Sequence, residues 1–231
     1  MQKNYDAVYL AFGIGTINKL NIPGEDLDGV EDAIHFIYNI RTNDFKNIPV
    51  GDRVAVIGMG NTAIDAATQS KRLGAKEVTM VYRRTEAEKT CTQHELDIAR
   101  LDGCATLWLA APKEIMGENG KVKALVCDVM KLGEPDASGR PLPIPTGETI
   151  TLEVDMVIKA TGQKPYTTLV EQIGLENNKG KIILQADKAS TNVKGVFAGG
   201  DAINGGKEAV DAVQAGKDGA ASILSYLEIK N

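Results

Sequence analysis

The sequence predicts an α/β fold centred on a parallel sheet, and residues 53–84 support that prediction most strongly. Residues 53–57 form a short apolar and β-branched run, which is typical of a parallel strand buried on both faces. A glycine turn, an amphipathic helix over 62–73 and a second apolar strand over 77–82 follow it. Strands that alternate with helices in this way build α/β proteins, and this unit is Rossmann-like.

The turn between the first strand and the helix has the pattern of a nucleotide site. Residues 58–63, Gly-Met-Gly-Asn-Thr-Ala, match G-x-G-x-x-G/A. The first glycine makes a tight turn, the second lets the backbone approach a pyrophosphate, and the alanine keeps helix and strand close. The N–H groups at the start of the helix face the same turn. We therefore expect a diphosphate to bind here, and a glycine turn without a ligand is the alternative.

Two arginines at the end of the second strand indicate which dinucleotide to expect. An NAD site places a carboxylate there to hold the ribose 2′-hydroxyl, whereas this chain has Arg83 and Arg84. Glu77 opens the same strand and lies about 16 Å from them, at roughly 3.3 Å per residue. Guanidinium groups suit a 2′-phosphate because they form charge-assisted, bidentate bonds. The sequence thus predicts NADP(H), and the alternative is a solvated arginine pair.

Composition narrows the class of protein. The 231 residues have a net charge of −5 and a pI near 5.2 with scattered positive residues, so no nucleic-acid partner is expected. No apolar run reaches membrane-spanning length and no signal-peptide pattern is present, which predicts a cytoplasmic protein without a membrane partner. Cys91, Cys104 and Cys127 are widely spaced, so neither disulfides nor a metal site is expected. His35 and His94 are interpreted as helix-surface residues.

The other elements follow from periodicity and from helix and strand breakers. Before the central unit, the sequence predicts a strand over 5–12, a helix that contains Ala33 and Phe36 and is capped by Asp28, and a linker over 43–52. After it, Thr92 opens a helix that ends near Leu101. A small antiparallel meander is expected from strands at 105–110, 122–130 and 149–154.

A segment rich in proline and glycine, 134–148, is interpreted as a long exposed loop. The C-terminal part is predicted to contain strands at 155–160, 180–184 and 196–198, and a short helix at 167–173. A long helix closes the chain. One face of this helix is formed by Ala209, Val213, Gly216, Ala220, Ile223 and Leu227, and the other by Asp211, Gln214, Lys217 and Ser222.

Four motifs occur in a fixed order: A-F-G-I-G at 11–15, G-x-G-x-x-A at 58–63, A-T-G-x-x-P at 160–165 and G-V-F-A-G-G-D at 195–201. Together they resemble the FAD-dependent pyridine nucleotide oxidoreductases, flavoproteins with two dinucleotide-binding domains. Three further stretches are most similar to the glutamate synthase small (beta) subunit and to the flavoprotein half of dihydropyrimidine dehydrogenase: N-T-A-x-D at 61–65, V-Y-R-R at 81–84 and N-G-G-K-E-A-V-D at 204–211.

The resemblance implies a division of labour. Residues 53–162 would form the NADP(H)-binding domain with its β-meander. Residues 1–52 would be an N-terminal remnant of an FAD-type domain with a linker, and residues 163–231 the C-terminal part of that domain. In such enzymes NADPH reduces the flavin, and electrons leave through iron-sulfur centres toward an electron-accepting subunit or domain. A pyrimidine-reducing dehydrogenase subunit is an alternative within the same resemblance.

The resemblance also assigns site residues. The diphosphate of NADP(H) would be held by Gly58, Gly60, Asn61, Thr62 and Ala63, and its 2′-phosphate by Arg83 and Arg84. Asp201, after Gly200, would hold the ribityl chain of FAD, and Lys207, Glu208 and Ala209 would face the pyrimidine end of the isoalloxazine. Thr161 and Gly162 are either nucleotide contacts or crossover residues. No catalytic side chain is assigned, because the cofactors perform the chemistry.

The sequence departs from the family in one respect. The family begins with its own G-x-G-x-x-G unit for FAD, and this chain has none, so it is interpreted as a fragment of a full-length parent. We expect the isolated chain to be inactive and to bind flavin weakly, which makes a non-catalytic NADP-binding module the alternative function. We also expect an exposed apolar face and open strand edges to cause self-association. A flavin-free dehydrogenase is disfavoured, since neither His35 nor His94 is expected in a catalytic position.

Overall fold

The computed structural model describes residues 4–15, 17–137 and 139–230, and the side chains up to residue 228. The chain forms two compact units. One is Ile17–Gly162, and the other combines the two flanking segments, Met1–Thr16 and Gln163–Asn231. The predicted α/β class is confirmed by the parallel strands and helices of this structure.

A five-stranded parallel sheet forms the centre of the unit 17–162, with strand order β2-β9-β3-β4-β5. Its strands are β2 (Val30–Asp32), β3 (Arg53–Ile57), β4 (Glu77–Tyr82), β5 (Ala105–Trp108) and β9 (Met156–Lys159). The central position of β3 explains its apolar run, because both faces of this strand are covered.

The two faces of the sheet pack against different layers. Val54, Val56 and Met80 belong to a core shared with three helices: α1 (Ala33–Thr42), α2 (Asn61–Leu73) and α3 (Gln93–Leu101). Ala55 and Ile57, which alternate with them along β3, belong to a second core that includes the antiparallel strands described next. Small residues of α2, Ala63, Ala66 and Ala67, are fully buried and allow close packing on the sheet.

An antiparallel sheet of three strands, β6 (Ala110–Glu118), β7 (Lys121–Pro135) and β8 (Pro141–Glu153), covers the second face. A meander was expected, but two parts of that prediction were wrong. Residues 105–108 belong to the parallel sheet as β5. The predicted loop 134–148 is largely strand, because Leu132 pairs with Pro143 and Met130 with Pro145. Prolines are tolerated there because β8 is an edge strand.

The N-terminal boundary also differs from the expectation. Residues 17–52 were assigned to a flanking remnant, whereas they belong to the compact unit that contains the central sheet. These residues belong to that unit because β2 pairs with β9 at the edge of the parallel sheet, and because Phe36 of α1 is buried in the hydrophobic core of the same unit. The cap of α1 is Asp32, not Asp28, and its carboxylate accepts hydrogen bonds from the N–H groups of Ile34 and His35.

The described residues of the second unit form two small sheets and three helices. Strand β1 (Val8–Leu10) pairs in parallel with β12 (Val196–Ala198), and β10 (Asn177–Asn178) pairs with β11 (Lys181–Ile182). The helices are α4 (Thr167–Gln172), α5 (Asp201–Asn204) and α6 (Ala209–Lys230). A separate apolar core joins them and includes Val170, Leu175, Ile182 and Ala198. None of the helices in the described part of the chain is long and apolar enough to cross a membrane.

Helix α6 packs against β1 and β12 through Ala215, Gly219 and Tyr226. The hydroxyl of Tyr9 in β1 donates to the carbonyl of Ala215 (2.8 Å), Gly219 is buried against the Tyr9 ring, and Tyr226 contacts Phe197 edge-on. Residues of the predicted apolar face are exposed in the first half of the helix, namely Ala209, Val213, Gly216 and Ala220. The packing of α6 is therefore determined by the Tyr9 ring of β1, which lies against Gly219, and not by the most apolar stripe of the helix.

Candidate nucleotide-binding site

The glycine turn after β3 has the shape that the sequence predicts. Gly58 adopts φ +139°, a region that favours glycine, and a Cβ atom there would lie 2.4 Å from the carbonyl oxygen of Ala160. Its N–H donates to the carbonyl of Val81 (3.0 Å). The turn is therefore fixed between the ends of two neighbouring strands, and only glycine fits.

The peptide between Met59 and Gly60 is held in one orientation by the segment that follows a short 3-10 turn at Glu86–Glu88. The carbonyl oxygen of Met59 accepts three hydrogen bonds: from the N–H groups of Thr90 (3.1 Å) and Cys91 (2.9 Å) and from the Thr90 hydroxyl (3.1 Å). In a planar trans peptide the N–H points opposite to the carbonyl. The N–H of Gly60 consequently faces away from this segment.

The start of α2 is suited to an anion. Gly60 is the N-cap residue, and no side chain forms a capping bond with the helix. The side chain of Asn61 is engaged elsewhere, since its Oδ1 accepts from the N–H of Thr92 (3.3 Å). Thr62 is half-buried and Ala63 fully buried. The helix thus presents backbone N–H groups and the positive end of its dipole beside a turn of two glycines, whose one side chain, Met59, is buried in the core.

The two arginines after β4 have different environments. Arg83 is exposed. Arg84 is only 5% exposed, its Nε donates to the carbonyl of Pro141 (2.9 Å), and its Nη2 lies 3.7 Å from the carboxylate of Asp136. The predicted pair is therefore divided: Arg84 attaches the β7–β8 hairpin to the end of β4, and only Arg83 presents its guanidinium to solvent.

A third arginine, which sequence reasoning missed, lies close by. The Nη2 of Arg140, at the end of the β7–β8 hairpin, donates to the Tyr82 hydroxyl (2.9 Å) and to the carbonyl of Glu88 (2.6 Å). The Tyr82 hydroxyl itself donates to the same carbonyl (2.7 Å). Nothing in the local pattern around Arg140 indicates this contact, because it depends on a hairpin that the proline-rich sequence concealed.

Thr161 and Gly162 engage the chain at Asn18. The Thr161 hydroxyl donates to the Asn18 carbonyl (2.9 Å), and the Asn18 side-chain amide donates to the carbonyls of Thr161 (3.2 Å) and Gly162 (2.9 Å). Gly162 also adopts a left-handed conformation, φ +81°. These bonds favour the crossover interpretation of both residues.

The residues expected at the flavin lie together in the other unit. Gly200 has φ +68° and ψ −149°, a conformation open to glycine, and it places Asp201 in the first turn of α5. Asp201 Oδ1 accepts from the N–H of Lys207 (3.2 Å), which closes the loop that leads to α6. Lys207 and Glu208 are exposed, and Ala209 starts the helix.

The cysteines are poor candidates for chemistry. Burial raises the pKa of Cys104 to about 11 and that of Cys127 to about 12, and it also raises the pKa of Cys91. Thiols are weak nucleophiles and weak ligands until they lose the proton. Within the described residues no group of histidine, cysteine and carboxylate side chains is arranged to hold a metal ion.

Comparison with known proteins identifies the family. The sequence profile of the pyridine nucleotide-disulphide oxidoreductases matches residues 2–216. The chain belongs to that family. The predicted resemblance is thus confirmed, and it extends over nearly the whole chain.

Curated relatives of this family member are considerably longer than the chain. It is 35% identical over 230 residues to the NADP(+)-dependent formate dehydrogenase subunit beta of Moorella thermoacetica, covering 98% of this chain and 32% of the relative. It is 34% identical to the glutamate synthase [NADPH] small chain of Escherichia coli, covering 98% and 51%. The chain spans between about a third and a half of the length of these relatives.

Solved structures of the same fold include oxidoreductases. Lactococcus lactis thioredoxin reductase superimposes with a TM-score of 0.74 at 23% identity, covering 95% of this chain and 65% of that protein. Mycobacterium tuberculosis FprA in complex with NADPH gives a TM-score of 0.75 at 22% identity, covering 98% and 65%. At these identities the similarity establishes the fold alone.

Proposed function

We propose that the unit Ile17–Gly162 binds NADP(H), with the diphosphate at the start of α2 and the 2′-phosphate at Arg83. The observation that supports this best is the turn itself. Gly58 is fixed against Ala160, the Met59 carbonyl is held by three donors, and the helix that follows has no side-chain cap. A diphosphate there would complete the hydrogen bonding of the first helical turn.

The residues present fit such a group. A Cβ at Gly60 would find a single described heavy atom within 4 Å, the Thr90 hydroxyl at 3.3 Å, so the space before the turn is open. The relatives from Moorella thermoacetica and Escherichia coli have NADP or NADPH in their names, which supports the phosphate-bearing nucleotide. The N–H groups of Gly60, Asn61 and Thr62 would form this cradle. Gly58 and Ala63, whose N–H groups donate to the carbonyls of Val81 and Gly60, would shape it. Thr161 and Gly162 would support it from the neighbouring crossover.

We further propose that the second unit contributes to an FAD site in a longer protein. A bound flavin would accept the hydride of the nicotinamide and pass its electrons on one at a time. Asp201, preceded by Gly200, would accept a hydrogen bond from the ribityl chain, and residues 207–209 would lie at the pyrimidine end of the ring. The hydrogen bond from the Lys207 N–H to the Asp201 carboxylate would keep Asp201 and residues 207–209 close together in one loop.

The complete protein would be a flavoprotein oxidoreductase similar to the glutamate synthase small subunit, with an electron-accepting subunit or domain as its partner. Its relatives include subunits of larger assemblies, among them an NADPH-Fe(3+) oxidoreductase subunit beta from Geobacter sulfurreducens. A second candidate function is an NADP(H)-binding module without turnover, which the glycine turn and the uncapped start of α2 support by themselves. We also propose that the chain self-associates.

Calorimetric titration of the purified chain with NADPH and NADH tests the proposed nucleotide site. We expect measurable binding of NADPH and weaker binding of NADH, because only the former has the 2′-phosphate. Arg53→Ala is the matched control for replacement of Arg83 by alanine. Arg53 lies at the end of β3 opposite to the glycine turn and pairs with Glu153. Absence of NADPH binding would refute the proposal. A visible flavin spectrum after addition of FAD and desalting would separate the reductase from the binding module.

A further inference from the structure

The β7–β8 hairpin and the glycine turn are connected through a single short segment, residues 85–92. At one end, the segment holds the turn: Thr90 and Cys91 donate to the Met59 carbonyl, and the Thr92 N–H donates to the Asn61 side chain. In the middle, the Glu88 carbonyl is held by Arg140 at 2.6 Å. The hairpin is therefore linked to the nucleotide turn by hydrogen bonds through this segment.

The contact made by Arg140 is stronger than an ordinary hydrogen bond. Its guanidinium donates to both the Glu88 carbonyl and the Tyr82 hydroxyl, and such charge-assisted bonds are shorter and stronger than neutral ones. Tyr82 is anchored in turn, because its ring packs edge-on against Trp108 and its hydroxyl donates to Glu88. Arg140 thus joins the segment to the end of β4 at one point.

The hairpin end is itself ordered by local and tertiary bonds. The N–H of Asp136 donates to the Arg140 carbonyl (2.8 Å), and Arg84 donates to the carbonyl of Pro141 (2.9 Å). The buried Arg84 consequently fixes the backbone of Pro141, next to Arg140. The side chain of Arg140 is fixed by its bond to the Glu88 carbonyl in the 85–92 segment. An arginine on a free loop would lose more conformational entropy for the same bonds.

We propose that Arg140 is a positioning residue for the nucleotide, which orients the Met59–Gly60 peptide by holding segment 85–92 in place. This inference rests on the proposed function, and it assigns Arg140 a different role from that of Arg83. Arg83 would contact the 2′-phosphate and determine the preference for NADPH over NADH. Arg140 would support the diphosphate cradle, which both nucleotides share.

The test compares Arg140→Ala, Arg140→Lys, Tyr82→Phe and the control Arg53→Ala by calorimetry with NADPH and with NADH. For Arg140→Ala we expect both dissociation constants to rise by about tenfold, the effect of one lost charge-assisted bond, with their ratio unchanged. Tyr82→Phe is expected to shift both in the same direction by less. Arg140→Lys, which keeps a cationic donor but on a side chain of different length and shape, should recover part of the affinity. The control should change neither constant.

Unchanged dissociation constants in Arg140→Ala would overturn the proposal, whether or not the free energy of unfolding falls. A rise of the dissociation constant for NADPH alone would also overturn it, because it would indicate that Arg140 contacts the 2′-phosphate directly. A second measurement separates this failure from failure of the proposed function. Amide hydrogen exchange at Thr90 and Cys91, recorded without nucleotide, is expected to accelerate by about tenfold in Arg140→Ala and to stay unchanged in Arg53→Ala. Unaltered exchange would refute the positioning role even in a chain that binds no NADPH.

Discussion

At the scale of single residues, the two adjacent arginines after β4 should respond differently to replacement. Arg83→Ala should weaken NADPH binding by roughly tenfold to a hundredfold, because an exposed guanidinium is removed, and should leave NADH binding unchanged. Arg84→Ala should cost about 2 kcal/mol of folding free energy, because the Pro141 carbonyl loses its buried donor. Calorimetry and urea unfolding measure the two quantities. Equal effects of both substitutions on nucleotide preference would contradict this division.

An ion pair that is largely shielded from solvent, between Lys159 and Glu25 (2.9 Å), gives a pH dependence. Burial alone would raise the pKa of Glu25, but the Lys159 ammonium and the N–H groups of Leu20 and Asn21 outweigh it and lower the pKa below 4.5. A carboxyl group with a lowered folded-state pKa stabilises the fold above its unfolded pKa. That contribution is lost as the pH falls through the folded value.

Lys159→Met should therefore destabilise the chain by about 3 kcal/mol near neutral pH, because Glu25 is left charged with little access to solvent. The difference from the parent chain should shrink as the pH falls below 4.5 and through the lowered folded-state pKa of the parent, below which Glu25 is protonated in both. Urea unfolding at a series of pH values measures this. A destabilisation that stays constant as the pH is lowered would show that the ion pair is not its cause.

At the scale of elements, the two glycines of the β3–α2 turn should separate folding from binding. Gly58→Ala brings a methyl group within 2.4 Å of the Ala160 carbonyl at φ +139°, so it should cost about 2 kcal/mol or more of stability. Gly60 has φ −99° and a nearest neighbour at 3.3 Å. Gly60→Ala should fold normally and bind NADPH more weakly, since the methyl lies before the helix start. Thermal unfolding and calorimetry on both variants check this. Normal stability of Gly58→Ala would contradict the close approach.

The elements also show how much of the fold the sequence could predict. The unit 53–82 was predicted closely, because a buried strand, a glycine turn and an alanine-rich helix each depend on local rules that agree. The Asp32 cap was missed in favour of Asp28, since the short strand β2 before it depends on pairing with β9. The hairpin was missed because Pro141, Pro143 and Pro145 hide a strand that only an edge position permits.

The candidate site also has a part that local sequence rules predict and a part that depends on tertiary contacts. The glycine turn follows from spacing, and the structure places it at the ends of two parallel strands. Whether an arginine faces solvent or another strand is a tertiary matter, so Arg83 and Arg84 were indistinguishable in sequence. Arg140 could not have been found at all, since its partners, Tyr82 and the Glu88 carbonyl, lie more than fifty positions away in the chain.

At the scale of the whole molecule, the outward face of α6 indicates self-association. The stripe that contains Val210, Val213 and Leu224 is apolar, and these side chains are 74%, 59% and 61% exposed. Positions 210, 213 and 224 fall on one side of the α-helix, where the exposed Lys217 separates a patch formed by Val210 and Val213 from Leu224. Apolar stripes of this kind on a helix are more often interfaces than free surface.

We therefore expect the chain to sediment as a species larger than its 24.7 kDa at high concentration. Val213→Glu and Leu224→Glu, examined separately, should each return it toward the monomer, because a charge in an apolar interface is costly to desolvate. Ser225→Glu is the matched control, since Ser225 is exposed on another side of the same helix and receives the same charge. Analytical ultracentrifugation over a range of concentrations measures the outcome. A monomer at every concentration, or equal dissociation by all three substitutions, would exclude this face as the contact.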